Sequence, residues 1–192
     1  MVVIFPFEVA IYEKAKTPVS YFGYPIVNHV LLKSKPSSRE EFKLTETATV
    51  IGLLPGGRKN ELIKLMPTLT KGAKKILARY PKTQFLLPIA KSLNINDFKP
   101  YFDEEIPITL IEHQNYRAMA VCDLLIGAAG TVTLEAAIVG VPMIIIYKIN
   151  SLTYWLAKKL IHVQFIGLSN LLANKKNYSG INSRSCKPRK YH

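Results

Sequence analysis

From Ala48 onward, short apolar runs alternate with longer segments in which apolar residues return every three or four positions. Val50, Ile51, Leu53 and Leu54 show no polar alternation, the mark of a strand covered on both faces, and Thr47 to Pro55 is predicted as that strand. Beyond Pro55-Gly56-Gly57-Arg58, the residues Leu62, Leu65, Leu69, Ala73, Ile76, Leu77 and Tyr80 recur at helical spacing. They predict a long helix that restarts at Pro67, where proline suits a first turn. Strands at Gln84 to Ala90, Ile108 to His113, Asp123 to Ala129, Pro142 to Lys148 and Phe165 to Leu168 follow. Helices at Asn94 to Phe102, Asn115 to Cys122, Thr131 to Val139 and Ser151 to His162 lie between and beside them. This alternation predicts an α/β fold with a doubly wound parallel sheet.

The first 45 residues break the register. Met1 to Phe5 and Val19 to Phe22 read as strands around a helical Glu8 to Lys14, and Leu32 to Glu41 as a charged, proline-containing linker. They resemble the tail end of another domain. The expected division is therefore a remnant and linker over 1–44, a Rossmann-like domain over 45–176, and a polar tail over 177–192 that is disordered or non-native.

A chain of 192 residues with 48% apolar content can bury one good core. Its net charge of +13 points to anionic partners: nucleotides, nucleic acid or an anionic membrane face. No RNA-binding motif or interleaving of basic and aromatic residues accompanies the charge, so nucleic acid is not expected as a partner. Cys122 and Cys186 form no CxxC and have no histidine at ligand spacing, which argues against a disulfide framework or a zinc site and suits a reducing cytoplasm. The N-terminus lacks the basic region of a secretory signal, and no apolar run is long enough for a spanning helix.

Two strand-to-helix turns carry the candidate chemistry. In the first, Gly56 and Gly57 let the backbone approach a ligand, the helix start offers unpaired N–H groups, and Arg58 adds a forked cation suited to phosphate. A plain tight turn has the same dipeptide, and the pattern is neither GxGxxG nor a Walker loop. In the second, Gly127-Ala128-Ala129-Gly130-Thr131 leads into a helix with Glu135 one turn in. Gly130 permits close approach, Thr131 can cap the helix or bond a phosphate oxygen, and the Glu135 carboxylate can accept both hydroxyls of a ribose. The same glutamate would also suit the helix dipole without any ligand, and the residues alone leave both readings open.

Taken together, LLPGGR at Leu53 to Arg58 followed by Glu61, AGTVTLEAAIVGVPMIIIYK at Ala129 to Lys148, LTYWLAKKLI at Leu152 to Ile161 and SNLLA at Ser169 to Ala173 resemble the lipid-A-disaccharide synthase family, which are GT-B glycosyltransferases. FPFE at Phe5 to Glu8 and GYPIVN at Gly23 to Asn28 are similar to the stretch where that family crosses between its domains. The resemblance covers Met1 to about Lys176. It implies transfer of 2,3-diacylglucosamine from its UDP donor to 2,3-diacylglucosamine 1-phosphate, with inversion, no metal and no cofactor beyond the UDP-sugar substrate. It also implies peripheral attachment to the cytoplasmic face of the inner membrane. The partners implied are the UDP-sugar, the lipid acceptor, the anionic membrane surface, and either a second copy of the chain or a separately supplied N-terminal half. In such an enzyme the C-terminal domain holds UDP, while the acceptor and catalytic base belong mainly to the N-terminal domain. The chain is accordingly expected to bind UDP and to be inactive alone, with Gly56, Gly57, Arg58, Gly130, Thr131, Glu135, Tyr147 and Asn170 at the donor and Arg58 stabilising the leaving group. Three departures stand out: the family's LPGSR has Gly57 for serine, its GHP reads Gly23-Tyr24-Pro25, and its PNLLAGR reads Ser169 to Lys175 without the proline and glycine. Rival readings are another UDP-sugar enzyme of the same architecture, such as a UDP-N-acetylglucosamine epimerase, or a non-catalytic basic module on RNA or membrane.

Among single residues, His113 ends a strand on the ligand side and is read as a base or phosphate contact or as a structural histidine. Tyr147 and Lys148 leave a central strand at the ligand edge, Cys122 is expected to pack as a small apolar residue, and His29, His162 and His192 receive no chemistry. The helix from Ser151 to His162 aligns Leu152, Trp155, Leu156 and Leu160 beside Lys158 and Lys159, a face for the sheet or for a bilayer.

Overall fold

The computed structural model describes residues 1–33, 39–102, 105–147 and 179–182. In chain order its regular elements are β1 (Val2–Val3), α1 (Pro6–Lys14), β2 (Ser20–Tyr21), α2 (Ile26–Lys33), β3 (Val50–Leu54), α3 (Lys59–Arg79), β4 (Gln84–Pro88), β5 (Ile108–Ile111), α4 (Asn115–Ala120), β6 (Leu124–Ala128), α5 (Val132–Val139), β7 (Met143–Tyr147) and β8 (Ser179–Asn182). Strands β3 to β8 form a six-stranded sheet in the order β5-β4-β3-β6-β7-β8, with every pairing parallel. The chain winds outward from β3 to β5, returns to the middle at β6, and winds outward the other way. The reversal falls between β3 and β6, where an open parallel sheet leaves a crevice outside its carboxyl edge.

The two-residue alternation of the strands sorts their side chains into two cores. Val50, Leu54, Leu86, Leu125, Met143 and Ile145 pack with Met119 and Ala136 beneath α4 and α5. Ile51, Leu53, Phe85, Leu87 and Ile146 pack with Leu62, Leu65, Met66, Leu69 and Ala73 of α3. Every residue of β3 is buried, as its uninterrupted apolar run predicts.

Helix α3 runs unbroken through Pro67 rather than restarting there. An interior proline costs about 3 kcal/mol. Pro67 and Ile63, whose carbonyl loses its partner, both face solvent, so water can serve the freed group. Burial of Leu62, Leu65 and Leu69, each contributing about 1.5–3 kcal/mol, outweighs the loss. The weak helix expected at Asn94 to Phe102 consists of two single turns of 3-10 helix, Ile95–Asp97 and Lys99–Tyr101.

At the N-terminus, β1 and β2 make a separate parallel pair, with α1 between them in sequence. FPFE is a helix start: Pro6 takes the first helical position, and the Glu8 carboxylate accepts from the Phe5 N–H at 3.0 Å. Helix α2, which the apolar pattern did not reveal, lies against α4 and α5, and Phe42 and Leu44 are buried in the same core as Val50. Within the segment expected to lack structure after Lys176, Ser179–Asn182 instead pairs with β7 as an edge strand. Backbone pairing at an edge needs no apolar periodicity. The expected helix from Ser151 to His162, the strand Phe165 to Leu168, Lys148, Asn170 and the rest of the tail lie outside the described residues.

Candidate functional site

Parallel pairing of β3 with β6 sets Leu54 opposite Gly127, so the turns that follow both strands open at the same edge. Between them and the loops after β4 and β5 lies a cleft of about 290 Å³. Gly56, Gly57, Thr131 and Glu135 line it together with His113. The structure thus brings together five of the residues singled out from sequence, with Gly130 adjoining Thr131 at the second turn.

The first turn is held from two sides. Gly56 has φ +106°, and a Cβ there would lie 2.2 Å from the Glu61 Oε2, so only glycine fits. The Gly57 N–H donates to Glu61 Oε2 at 3.1 Å, and the Ser92 hydroxyl donates to the Gly57 carbonyl. Arg58 is the N-cap residue of α3 in extended conformation. Its guanidinium lies 3.8 Å from Glu61 Oε1 and is 85% exposed, at the rim rather than on the cleft wall.

The second turn holds itself. Gly130 has φ +145°, and its carbonyl accepts both the Thr133 hydroxyl, at 2.8 Å, and the Thr133 N–H, at 3.1 Å. Thr131 starts α5 without a side-chain cap, so of the two roles read for its hydroxyl the capping role does not form. Glu135, one turn further on, accepts a bond from the Tyr116 hydroxyl at 3.4 Å. Burial raises the Glu135 carboxyl above the ordinary glutamate range, and the Tyr116 bond opposes that rise. Burial, with the neighbouring Glu135 charge, pushes the Tyr116 hydroxyl up to about 12, and Tyr24 is raised by the same two causes.

Tyr147 closes β7 at this edge, next to β6. Cys122 is buried, donates to the Ala118 carbonyl at 3.1 Å, and has its thiol pushed up to about 12 chiefly by burial, as befits a packing residue.

Several cleft residues were given no role from the sequence. His29 comes from α2 and meets the Tyr116 ring edge-on at 5.8 Å, although its spacing suggested no chemistry. Lys91, Asn115, Tyr116 and Met119 also line the wall. Asn115 Oδ1 is buried without a partner among the described residues. Lys91 was within reach of sequence reasoning, because every loop after a parallel strand emerges at the ligand edge.

The family model described as lipid-A-disaccharide synthetase matches residues 1–192. A lipid-A-disaccharide synthase from Nitrosococcus oceani is 42% identical over 179 residues, covering 91% of this chain and 46% of its own length. One from Geobacter sulfurreducens is 42% identical with 92% and 46% covered, and lipid-A-disaccharide synthase 1 from Legionella pneumophila strain Lens is 44% identical with 91% and 46% covered. The chain spans about half the length of the curated relatives it matches. Among solved structures, a UDP-GlcNAc 2-epimerase from Neisseria meningitidis bound to UDP-GlcNAc aligns with TM-score 0.54 at 14% identity over 84% of this chain and 48% of its own. WaaG, a glycosyltransferase involved in lipopolysaccharide biosynthesis, aligns with TM-score 0.51 at 15% identity over 94% and 48%. These two share the fold, whereas the match along the whole sequence shows that the chain belongs to the lipid-A-disaccharide synthase family.

Proposed function

We propose that the cleft binds the UDP portion of a UDP-sugar, and that the chain supplies the donor side of a glycosyltransferase of lipid A biosynthesis. The observation that carries this reading is the shared opening of the two turns after adjacent central strands into one cleft that also holds Glu135. The diphosphate lies between the starts of α3 and α5, whose N–H groups and dipoles favour anions. The Glu135 carboxylate accepts the ribose hydroxyls, and Tyr147 and Asn170 are further donor contacts. Arg58, exposed at the rim and only loosely paired with Glu61, turns toward the diphosphate and stabilises it as it leaves.

The reaction is transfer of 2,3-diacylglucosamine from UDP to 2,3-diacylglucosamine 1-phosphate, releasing UDP and the disaccharide 1-phosphate. The base that activates the acceptor belongs to the part of the family's length that this chain does not span, and the chain alone does not turn over. No helix among the described residues is long and apolar enough to cross a membrane, and the enzyme acts as a peripheral protein on an anionic cytoplasmic face. Calorimetric titration of the chain with UDP, CDP and ADP tests the donor reading. Saturable binding that prefers UDP is expected, and no binding, or equal binding of all three, would contradict it. In an assembled enzyme, Arg58→Ala should lower kcat by about 100-fold or more, the usual size of one lost leaving-group contact. Unchanged turnover removes Arg58 from the mechanism.

A further inference from the structure

Glu61 belongs to α3, yet its carboxylate reaches back over the turn that precedes the helix. One oxygen accepts the Gly57 N–H at 3.1 Å, and the other lies 3.8 Å from the Arg58 guanidinium. The same carboxylate occupies the space where a Cβ on Gly56 would stand, 2.2 Å from its Oε2 and 3.1 Å from its Cδ. Arg58, as N-cap, brings no side-chain oxygen to the helix start, so Glu61 supplies the only side-chain acceptor given to this turn among the described residues. From the opposite side, Ser92 donates to the Gly57 carbonyl. Glu61 thereby holds the 56–57 peptide and Ser92 the 57–58 peptide.

We propose that Glu61 is a positioning residue for the diphosphate turn, with Ser92 as its counterpart. Its carboxylate sets the plane of the 56–57 peptide and stands beside the guanidinium of Arg58. With the Gly57 N–H committed to Glu61, the phosphate donors of this turn are the N–H groups of Gly56 and Arg58, which bond to nothing among the described residues. The Arg58 N–H lies in the 57–58 peptide that Ser92 holds, and the Gly56 N–H in the peptide just before the one Glu61 holds, so a change in either held plane re-aims these donors relative to each other and the clamp acts on phosphate affinity without touching the ligand. The proposal rests on the donor-site reading above.

Titrations with UDP and with uridine, which lacks the phosphates, separate positioning from simple helix capping. Glu61→Ala should weaken UDP binding about tenfold, the effect of one lost hydrogen bond to an anchoring group, while leaving uridine binding unchanged. Glu61→Gln keeps an acceptor for the Gly57 N–H and should recover most of the affinity, and Ser92→Ala should cost about threefold. Glu61→Gln and Ser92→Ala keep the test open if Glu61→Ala does not fold. If the variants only lower the melting temperature and bind UDP like the parent chain, or if UDP and uridine weaken equally, Glu61 is a cap and the proposal fails. If the parent chain binds neither UDP nor inorganic pyrophosphate, the donor reading fails first and takes this one with it.

Discussion

The amino and carboxyl edges of the central sheet are built to opposite ends. At the amino edge, where β3 and β6 begin, Asp123 and Arg39 tie the polar groups to one another, although the buried Thr83 Oγ1 just ahead of β4 has no partner among the described residues. Asp123 Oδ2 accepts the Val50 N–H at 2.8 Å, its Oδ1 pairs with Arg39 at 2.7 Å, and Arg39 also donates to the carbonyls of Glu46 and Ala48 at 2.9 Å. At the carboxyl edge, among the described residues, the turns leave donors open and Asn115 Oδ1 has no partner, while burial raises the pKa of Glu135. Satisfied polar groups stabilise a fold, whereas unsatisfied ones at a cleft cost stability and are where a ligand finds partners.

The largest expected effect comes from the one substitution that joins the two behaviours. Gly56→Ala forces a Cβ into the Glu61 carboxylate at a φ that L side chains avoid, and should cost about 3 kcal/mol of stability together with UDP binding. Denaturant unfolding and calorimetry on the same sample check both losses. Next, Asp123→Ala should lower stability by about 2 kcal/mol, because the Val50 N–H and Arg39 lose their partner, while UDP affinity measured below the transition stays within twofold. A loss of UDP affinity there would break the separation of the edges.

Glu135→Gln should do the reverse, weakening UDP about tenfold with little change in melting temperature. The glutamate also gives a pH signature. Because burial raises its folded pKa above the unfolded value of about 4.3, the native state holds the proton more tightly across that window. This group's contribution to stability therefore declines as pH rises through the window, while ribose binding, which needs the ionised form, improves. Glu135→Gln should abolish both trends, and a pH profile of UDP affinity identical in parent and variant would exclude the ribose role. The smallest effect is expected for Gly57→Ser, which restores the serine usual in the family. Among the described residues a Cβ at Gly57 meets only Ala90 and Ser92, at 3.7 Å, so stability should stay within about 0.5 kcal/mol.

Much of the carboxyl edge was legible in the sequence because its two turns follow uninterrupted apolar runs. Val50 to Leu54 and Leu124 to Ala128 show themselves as strands, and the glycines after them mark where a helix must begin. What periodicity does not encode is the order of parallel strands or the wall opposite the turns. His29 stands on α2 and Asn115 and Tyr116 on α4, and they become neighbours only when α2 and α4 pack beside α5. Pro67 misled for a related reason: local propensity argued for a break, and tertiary burial along α3 overrode it. Likewise β8 owes its place to a free sheet edge rather than to any pattern of its own. The amino-edge lock was not legible either, since Arg39 and Asp123 are 84 residues apart and look like ordinary surface charges.

The most direct test of the central claim is a crystal structure of the chain with UDP. The expected result is a diphosphate held between the turn at Pro55 to Arg58 and the start of α5, with the ribose hydroxyls on Glu135 and Tyr116 beside them. UDP bound elsewhere, or seated in the cleft with its ribose away from Glu135, would contradict it.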